Sequence, residues 1–387
     1  MSLISRKIRN EFLQRCENLP LGRLRLRTPE GHTHDFGNSG PEAEIVIHNW
    51  RVVTAMAARG DIGLGETYVA GMWDTSSIEN LTALALRNID HFRGFTHASP
   101  LNSVKYRIVD QLFRANSRQG SARNIKKHYD VGNEFYQLWL DSGMTYSSAL
   151  FAGPDESLET AQERKHDRVL DLLGPGEGVL EIGCGWGSFA ERAADRDRKV
   201  TGITISPSQK GYAEARLDGR AQIELCDYRA QTGRFDNIVS IEMVEAVGER
   251  YWPIFFAVLK NRLAEGGRAV LQAITVRESD FEGYRRGSDF IRRYTFPGGM
   301  LLSDATIAGQ ARQAGLAIRD NYAFGADYGR TCRMWAQRMR AQSKKIRELG
   351  HDREFLRSWL FYLEICAASF SVGRTSVVQV ELSHAAE

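Results

Sequence analysis

The sequence predicts an α/β fold: a mostly parallel sheet with an antiparallel edge strand, preceded by a smaller α+β domain. Three observations carry this expectation. From about residue 165 onward, short apolar runs alternate with segments of helical length. A glycine-rich turn, Glu181 to Gly187, joins the first of these runs to the first of these helices. The chain has 387 residues, more than one hydrophobic core normally organises, so two domains are expected.

Residues 1–92 read as the smaller domain. A short helix places Leu3, Ile4, Ile8, Phe12 and Leu13 on one face, suited to docking on its own domain or to a membrane surface. Strands follow in GRLRLRTP and EAEIVIHN, then a helix at roughly 50–59 leading into GDIGLGETYVAGMWD, and a second helix in SIENLTALALRNID. Residues 93–122 are polar and basic, with HASP and NSRQGSARN marking breaks, and read as a linker.

The larger domain covers 123–387. Its strands are GVLEIG, KVTGITI, QIELCD, FDNIVSI and RAVLQAITV, separated by single helices, which means parallel pairing through right-handed crossovers. An aromatic-rich insert occupies 277–302. After it come a helix from Asp304, a strand LAIRDNYAF, one long helix from about 331 to 371, and SVVQVEL as the edge strand.

Composition narrows the function classes. Hydrophobic residues make up 42% and charged residues 26%, as in ordinary globular proteins. No apolar run reaches the length of a membrane span, and the N-terminal twenty residues lack the apolar centre of a secretory signal. Five scattered cysteines without C-x-x-C spacing argue for a reduced, cytoplasmic protein without a structural metal. A net charge of +3 does not imply nucleic acid. Between Ser103 and Lys127, however, Lys105, Arg107, Arg114, Arg118, Arg123, Lys126 and Lys127 face only Asp110. That run is either a solvated face or a contact for anionic headgroups.

The turn EIGCGWG carries the strongest single signal. Glycine between strand and helix lets backbone pass close beneath an adenosine-type ligand and aims helix amides at it. A nicotinamide fingerprint needs glycine at positions 1, 3 and 6. Gly183, Gly185 and Gly187 fall at 1, 3 and 5, with Glu181 two residues before the first. The spacing resembles the S-adenosylmethionine loop of class I methyltransferases, whose Rossmann-like fold agrees with the strand pattern. At the end of the second strand, where such enzymes often place a ribose-binding acid, GITISPSQ offers Thr204, Ser206 and Gln209. Asp227, ending the third strand, suits the adenine side.

Upstream lies KHYDVGNEFYQLWLDSGMTYSSALF, residues 127–151. With GLGETYVAGMWD, the T-x-S-x-x-Q stretch and SFSVGRTSVVQVEL, it is similar to the cyclopropane fatty acid synthases and mycolic acid cyclopropane synthases, from roughly residue 40 to the terminus. The resemblance implies an enzyme that transfers the methyl group of S-adenosylmethionine to the double bond of a phospholipid acyl chain, releasing S-adenosylhomocysteine. It implies cofactor contacts from Tyr146, Ser147, Glu181, Gly183, Gly185, Gly187, Thr204, Ser206, Gln209, Asp227 and Tyr228, with His128 and Tyr129 in the segment closing over the site. It also implies a bicarbonate ion acting as base, held at Ser148, Glu245, Gln272, Ile274 (through its backbone amide) and Tyr328. Relatives with this N-terminal domain suggest a homodimer, peripheral on the inner face of the membrane.

Two positions depart from the better-known enzymes: Ser148 stands where cysteine is usual, and Gln272 where histidine is usual. Both can still donate hydrogen bonds, but Gln cannot carry charge. Glu245 acting directly as base is the alternative, and a changed product, a methyl-branched, methylene or furan-type fatty acid, another. A proton lost from the transferred methyl with ring closure gives a cyclopropane; the other proton losses leave a methylated or exomethylene alkene. Aromatic faces tolerate a carbocation, and the insert offers Phe281, Tyr284, Phe290, Tyr294 and Phe296. Each site residue also has a plainer role open to it. Glu245 suits a helix N-terminus, Tyr328 suits a half-buried packing position, and His128 a surface. A small-molecule methyltransferase remains the reading from another class.

Overall fold

A computed structural model describes residues 3–96 and 131–385. His128, Tyr129 and the basic run therefore lie outside the described residues. Contacts divide the chain into two units. The first holds the described parts of Met1–Phe113 together with Glu282–Pro297 and Trp335–Arg374. The second holds the described parts of Arg114–Phe281 with Gly298–Met334 and Thr375–Glu387.

In the first unit, four strands form a sheet in the order β2-β1-β3-β4. They are β1 (Arg23–Arg27), β2 (Thr33–Gly37), β3 (Glu42–Ile47) and β4 (Trp73–Asp74). β1 alternates exposed and buried residues, so Leu24 and Leu26 enter the core while the arginines face water. Leu26, Ile47, Val52, Val53, Trp73 and Ile78 are among its buried residues. The N-terminal helix Leu3–Glu17 docks through Phe12 and Cys16, leaving Leu3 and Ile4 exposed.

The stretch GDIGLGETYV contains a further helix, Asp61–Val69, despite two glycines. Both are needed for close approach. A Cβ on Gly63 would meet the Ala55 carbonyl oxygen at 2.2 Å, and one on Gly65 would meet the Phe290 ring at 2.3 Å. Phe290 is fully buried, 4.8 Å from Phe361 between ring centroids. Part of the aromatic insert is thus core of this unit.

The second unit is built on a seven-stranded sheet in the order β10-β11-β9-β8-β5-β6-β7. The strands are β5 (Gly178–Ile182), β6 (Lys199–Thr204), β7 (Gln222–Leu225), β8 (Phe235–Ile241), β9 (Leu263–Val276), β10 (Leu316–Ala323) and β11 (Thr375–His384). β5 through β9 pair in parallel, and β11 runs antiparallel to both β9 and β10. This is the mostly parallel architecture the sequence predicts, with one correction. β11 is not the edge strand; β10 is. Burial explains it: Val377 to Val380 are covered on both faces, whereas most of β10 is exposed.

A second correction concerns the long helix. Residues 331–371 are divided among three helices, Gly325–Ala341, Ser343–Glu348 and Arg353–Ser371, with breaks at 342 and 349–352. Gly350, at φ +92°, ends the second, and the Asp352 side chain caps the third by accepting from the Phe355 amide at 2.7 Å. Among the described residues, no helix is long and apolar enough to cross a membrane.

Candidate active site

The site is assembled at the carboxyl ends of β5, β6, β8 and β9, where an open parallel sheet places ligands. After β5, Gly183, Gly185 and Gly187 adopt φ of +86°, +52° and +87°, backbone that favours glycine. Their surroundings separate three roles. A Cβ on Gly183 would press on Met243 Cγ at 2.9 Å, and one on Gly187 would approach Ala213 Cβ at 3.2 Å. A Cβ on Gly185 would meet nothing within 4 Å. Two glycines serve packing and one faces open space. The Gly183 and Cys184 amides donate to the Ile203 carbonyl, each at 3.0 Å, which fixes the loop to the end of β6.

The residues after β6 hold one another. Thr204 Oγ1 donates to Gln209 Oε1 at 2.9 Å and accepts from the Ser206 amide at 3.1 Å; Ser206 Oγ caps the next helix by accepting from the Gln209 amide. Asp227 is held by Arg229, with Nε at 2.8 Å from Oδ1 and Nη2 at 2.6 Å from Oδ2. Its charge is therefore already paired. The Tyr228 hydroxyl is buried without a hydrogen-bond partner, and burial pushes it up to about 12.

Segment 141–148 closes one side. The Tyr146 ring packs against Tyr136 and Trp139, at 5.7 and 5.5 Å between centroids. The Ser147 hydroxyl accepts from the buried Lys165 ammonium at 2.6 Å, and its carbonyl accepts from Gln162 at 2.8 Å. Burial brings Lys165 down to about 8 and pushes Glu181 up to about 8. Glu181 Oε2 is buried without a partner. That orphaned oxygen, the Tyr228 hydroxyl and the open space before Gly185 fit a polar, adenosine-type cofactor.

The centre of the site is Glu242, a residue the sequence analysis passed over. It directly follows β8 with φ +51°, a conformation costing a non-glycine residue about 1–2 kcal/mol. Its half-buried carboxylate receives three donors from three elements. The Ser148 amide lies 2.8 Å from Oε1, Gln272 Nε2 also lies 2.8 Å from Oε1, and the Tyr328 hydroxyl lies 2.5 Å from Oε2. Hydrogen bonds to a charged group contribute about 1.5–3 kcal/mol each, so together they outweigh the backbone strain. Burial leaves the carboxyl raised above its ordinary value, although Tyr328, Ser148, the Lys165 charge and Gln272 pull against it.

Glu245 lies one turn further on, buried. Its Oε1 accepts from the Ile274 amide, and its Oε2 is buried without a partner. Burial, with the neighbouring Glu242 charge, pushes it up to about 8. Tyr328 is pushed well above its ordinary value by burial and by Glu242.

These contacts bear on the expected anion site. The five positions come together, but the Ser148, Gln272 and Tyr328 donors converge on Glu242 and the Ile274 amide on Glu245. The Ser148 hydroxyl does not point there; it donates to the Ala149 carbonyl at 3.0 Å. The residues present do not fit a bicarbonate ion held by those five groups.

The amide of Gln272 is oriented from behind. Gln379 Nε2 donates to Gln272 Oε1 at 3.0 Å, and Gln379 Oε1 accepts from Arg168 Nη1 at 2.9 Å. Arg168 is anchored on Asp320 at 2.6 Å. Each donor fixes which end of the next amide faces forward, so the NH2 of Gln272 is turned to Glu242. Lys165, Gln162, Gln379 and Glu242 escaped the sequence reading. The available signals were polar residues at core positions of otherwise apolar strands or helices, Gln379 in SVVQVEL above all.

Comparisons with known proteins identify the family. The pattern of the mycolic acid cyclopropane synthetase family matches residues 116–380. The tuberculostearic acid methyltransferase UfaA1 of Mycobacterium tuberculosis is 35% identical over 401 residues, spanning 98% of this chain and 91% of that protein. The cyclopropane-fatty-acyl-phospholipid synthase of Escherichia coli is 32% identical over 361 residues, spanning 90% of each. Among solved structures, the mycolic acid cyclopropane synthase CmaA1 complexed with SAH and CTAB matches with a TM-score of 0.63 at 27% identity, covering 67% of this chain and 97% of that one. With its glycine loop, its sheet order and this match over most of its length, the chain belongs to the mycolic acid cyclopropane synthetase family of S-adenosylmethionine-dependent methyltransferases.

Proposed function

We propose that the protein methylates the double bond of an unsaturated phospholipid acyl chain. The observation that carries this reading is a carboxylate held by three donors beside the glycine loop, in a chain of this family. Gly185, Tyr146, Ser147, Glu181 and Tyr228 are the residues that would hold S-adenosylmethionine, with Gly183 and Gly187 shaping the loop by packing. Bound there, it supplies an electrophilic methyl: the alkene π pair makes the new C–C bond, and the S–C pair stays on sulfur.

The chain's own residues then do three things. Segment 141–148, packed through Tyr146 on Tyr136 and Trp139, keeps water from the reacting face. The Glu242 carboxylate stabilises positive charge on the alkylated chain. Loss of one proton completes the product.

Two product readings have support. Similarity to a cyclopropane-fatty-acyl-phospholipid synthase over 90% of the chain favours ring closure. Similarity to a tuberculostearic acid methyltransferase over 98% of it favours a methyl-branched or methylene product. Work at the inner membrane face belongs to the same proposal, supported by the basic run between Ser103 and Lys127; assembly as a homodimer rests on the resemblance of the N-terminal domain to that of relatives. The experiment is incubation of purified protein with S-adenosylmethionine and vesicles of monounsaturated phospholipid, followed by mass spectrometry of the acyl chains. A gain of CH2 is expected; a product that resists hydrogenation is cyclopropyl, and one that reacts is a branched alkene. No gain, with methylation of a water-soluble acceptor instead, would establish the small-molecule reading.

A further inference from the structure

We propose that the Glu242 carboxylate is the base of this reaction, a built-in anion that accepts the proton after methyl transfer. The inference rests on the methyl-transfer reading above and adds the group that ends the reaction.

Four observations carry it. First, donors from segment 141–148, from β9 and from the helix Gly325–Ala341 converge on its two oxygens, the arrangement that holds a carboxylate in its charged form. Second, the Gln272 donor is fixed in orientation by a chain running back through Gln379 to Arg168, so the site presents N–H toward Glu242 rather than a carbonyl. Third, Glu242 directly follows β8, the neighbour of β5, and the next residue, Met243, abuts Gly183 of the glycine loop. Fourth, the adjacent Glu245 has a buried oxygen with no partner. Two carboxyl groups in one poorly solvated place do not both ionise, and the one with three donors takes the charge. Glu245 therefore keeps its proton and is no base at neutral pH.

The step balances without an oxidant or reductant. Once the new C–C bond exists, the neighbouring chain carbon is cationic. Glu242 takes one proton from the carbon skeleton and becomes a carboxylic acid. If the proton comes from the transferred methyl, the C–H pair closes the ring on the cationic carbon. If it comes from an adjacent chain carbon, the pair becomes a C=C bond. Lys165 is the buried cation that offsets the Glu242 charge before the step, and Tyr328 is the hydroxyl that stays bonded to the acid after it.

A purely structural tie predicts something different. Glutamine at this position would still accept from the Ser148 amide and from Gln272, and the Tyr328 hydroxyl can reverse its bond, so the fold is kept while the base is lost. Glycine suits the left-handed backbone of residue 242 and leaves three donors facing an empty space of carboxylate size.

The test uses the full chain in carbon-dioxide-depleted buffer, with and without added bicarbonate or formate. Wild-type turnover is expected to be unchanged by either anion. Glu242→Gln should lose about 100-fold or more in turnover while binding S-adenosylhomocysteine within about threefold of wild type by calorimetry. Glu242→Gly should regain about tenfold with bicarbonate or formate, and its melting temperature should rise with either anion while that of the wild type does not. Retention of turnover in Glu242→Gln, or dependence of the wild type on bicarbonate, overturns the assignment. A wild type that methylates no lipid overturns the function beneath it instead; the anion-dependent melting of Glu242→Gly then still decides whether the carboxylate fills an anion site.

Discussion

Gln379 and Gln272 sit directly opposite each other across the antiparallel pair β11–β9, and the Gln379 amide donates to the Gln272 carbonyl oxygen at 3.0 Å. Two glutamines in the covered middle of a sheet are costly unless each bond is made, and here each is. Their purpose is directional: Gln379 turns the NH2 of Gln272 to Glu242.

Replacing Gln379 tests that direction. Gln379→Leu is expected to cost about 1–3 kcal/mol of stability, because the Gln272 carbonyl and the Arg168 guanidinium lose a partner. Turnover should fall by about tenfold or more as Gln272 becomes free to flip, through kcat with little change in the KM for S-adenosylmethionine. Steady-state kinetics on the soluble variant checks this; a change confined to KM would refute the positioning role.

Gly185 and Gly187 make a contrasting pair. Gly187→Ala meets Ala213 and Leu217 at 3.2 and 3.3 Å, so its main expected effect is a lower melting temperature. Gly185→Ala meets nothing in the protein. Beyond the roughly 1 kcal/mol cost of alanine in left-handed backbone, its expected effect is on binding: affinity for S-adenosylhomocysteine should fall about tenfold or more. Calorimetry alongside thermal melting separates the two.

The raised Glu245 carboxyl gives a signed pH dependence. Folded Glu245 holds its proton up to about 8, whereas the unfolded chain releases it in the ordinary carboxylate range. Between those values the folded state binds more protons, so this group makes stability fall as pH rises, by at most about 1.4 kcal/mol per unit. Glu245→Gln removes that slope. Its melting temperature relative to wild type should be higher at pH ~8 than at pH ~5, measured by thermal unfolding at both. The groups facing Glu245 are Glu242, which raises it, and the Ile274 amide, which lowers it.

In the first unit, Arg357 is the buried polar hub. Its guanidinium donates to the Tyr68 carbonyl at 2.6 Å, the Trp73 carbonyl at 2.9 Å and Asp74 at 2.8 Å, and lies 3.7 Å over the Tyr68 ring. Asp74 is well exposed, so the ion pair itself adds little; the two carbonyl bonds and the ring contact dominate. Arg357→Lys cannot make all of these at once and should cost about 2–4 kcal/mol by denaturant unfolding.

The sheet was legible in the sequence because most strands of the second unit are short apolar runs set off by helices, and the motif at Glu181 to Gly187 marks the first crossover. The order of β10 and β11 was not read correctly, although composition held the clue: VVQV is mostly apolar and buried on both faces, and LAIRDNYA is not. The helix Asp61–Val69 was hidden by Gly63 and Gly65, whose presence is explained only by contacts with Ala55 and Phe290. Glu242 was hidden for another reason. A glutamate three residues before Glu245, at the end of a strand, looks like a solvated helix start; only the convergence of Ser148, Gln272 and Tyr328 from distant positions gives it a role.

The most direct measurement follows a deuterated methyl group. Purified protein is given S-adenosylmethionine labelled with deuterium on that methyl, with vesicles of monounsaturated phospholipid, and the acyl chains are analysed by mass spectrometry. Deuterium is expected in the acyl chain: the methyl keeps all of its label if the proton leaves from a chain carbon, and loses one deuterium if the ring closes or an exomethylene group forms. Label that is consumed without entering the acyl fraction would contradict lipid methylation altogether.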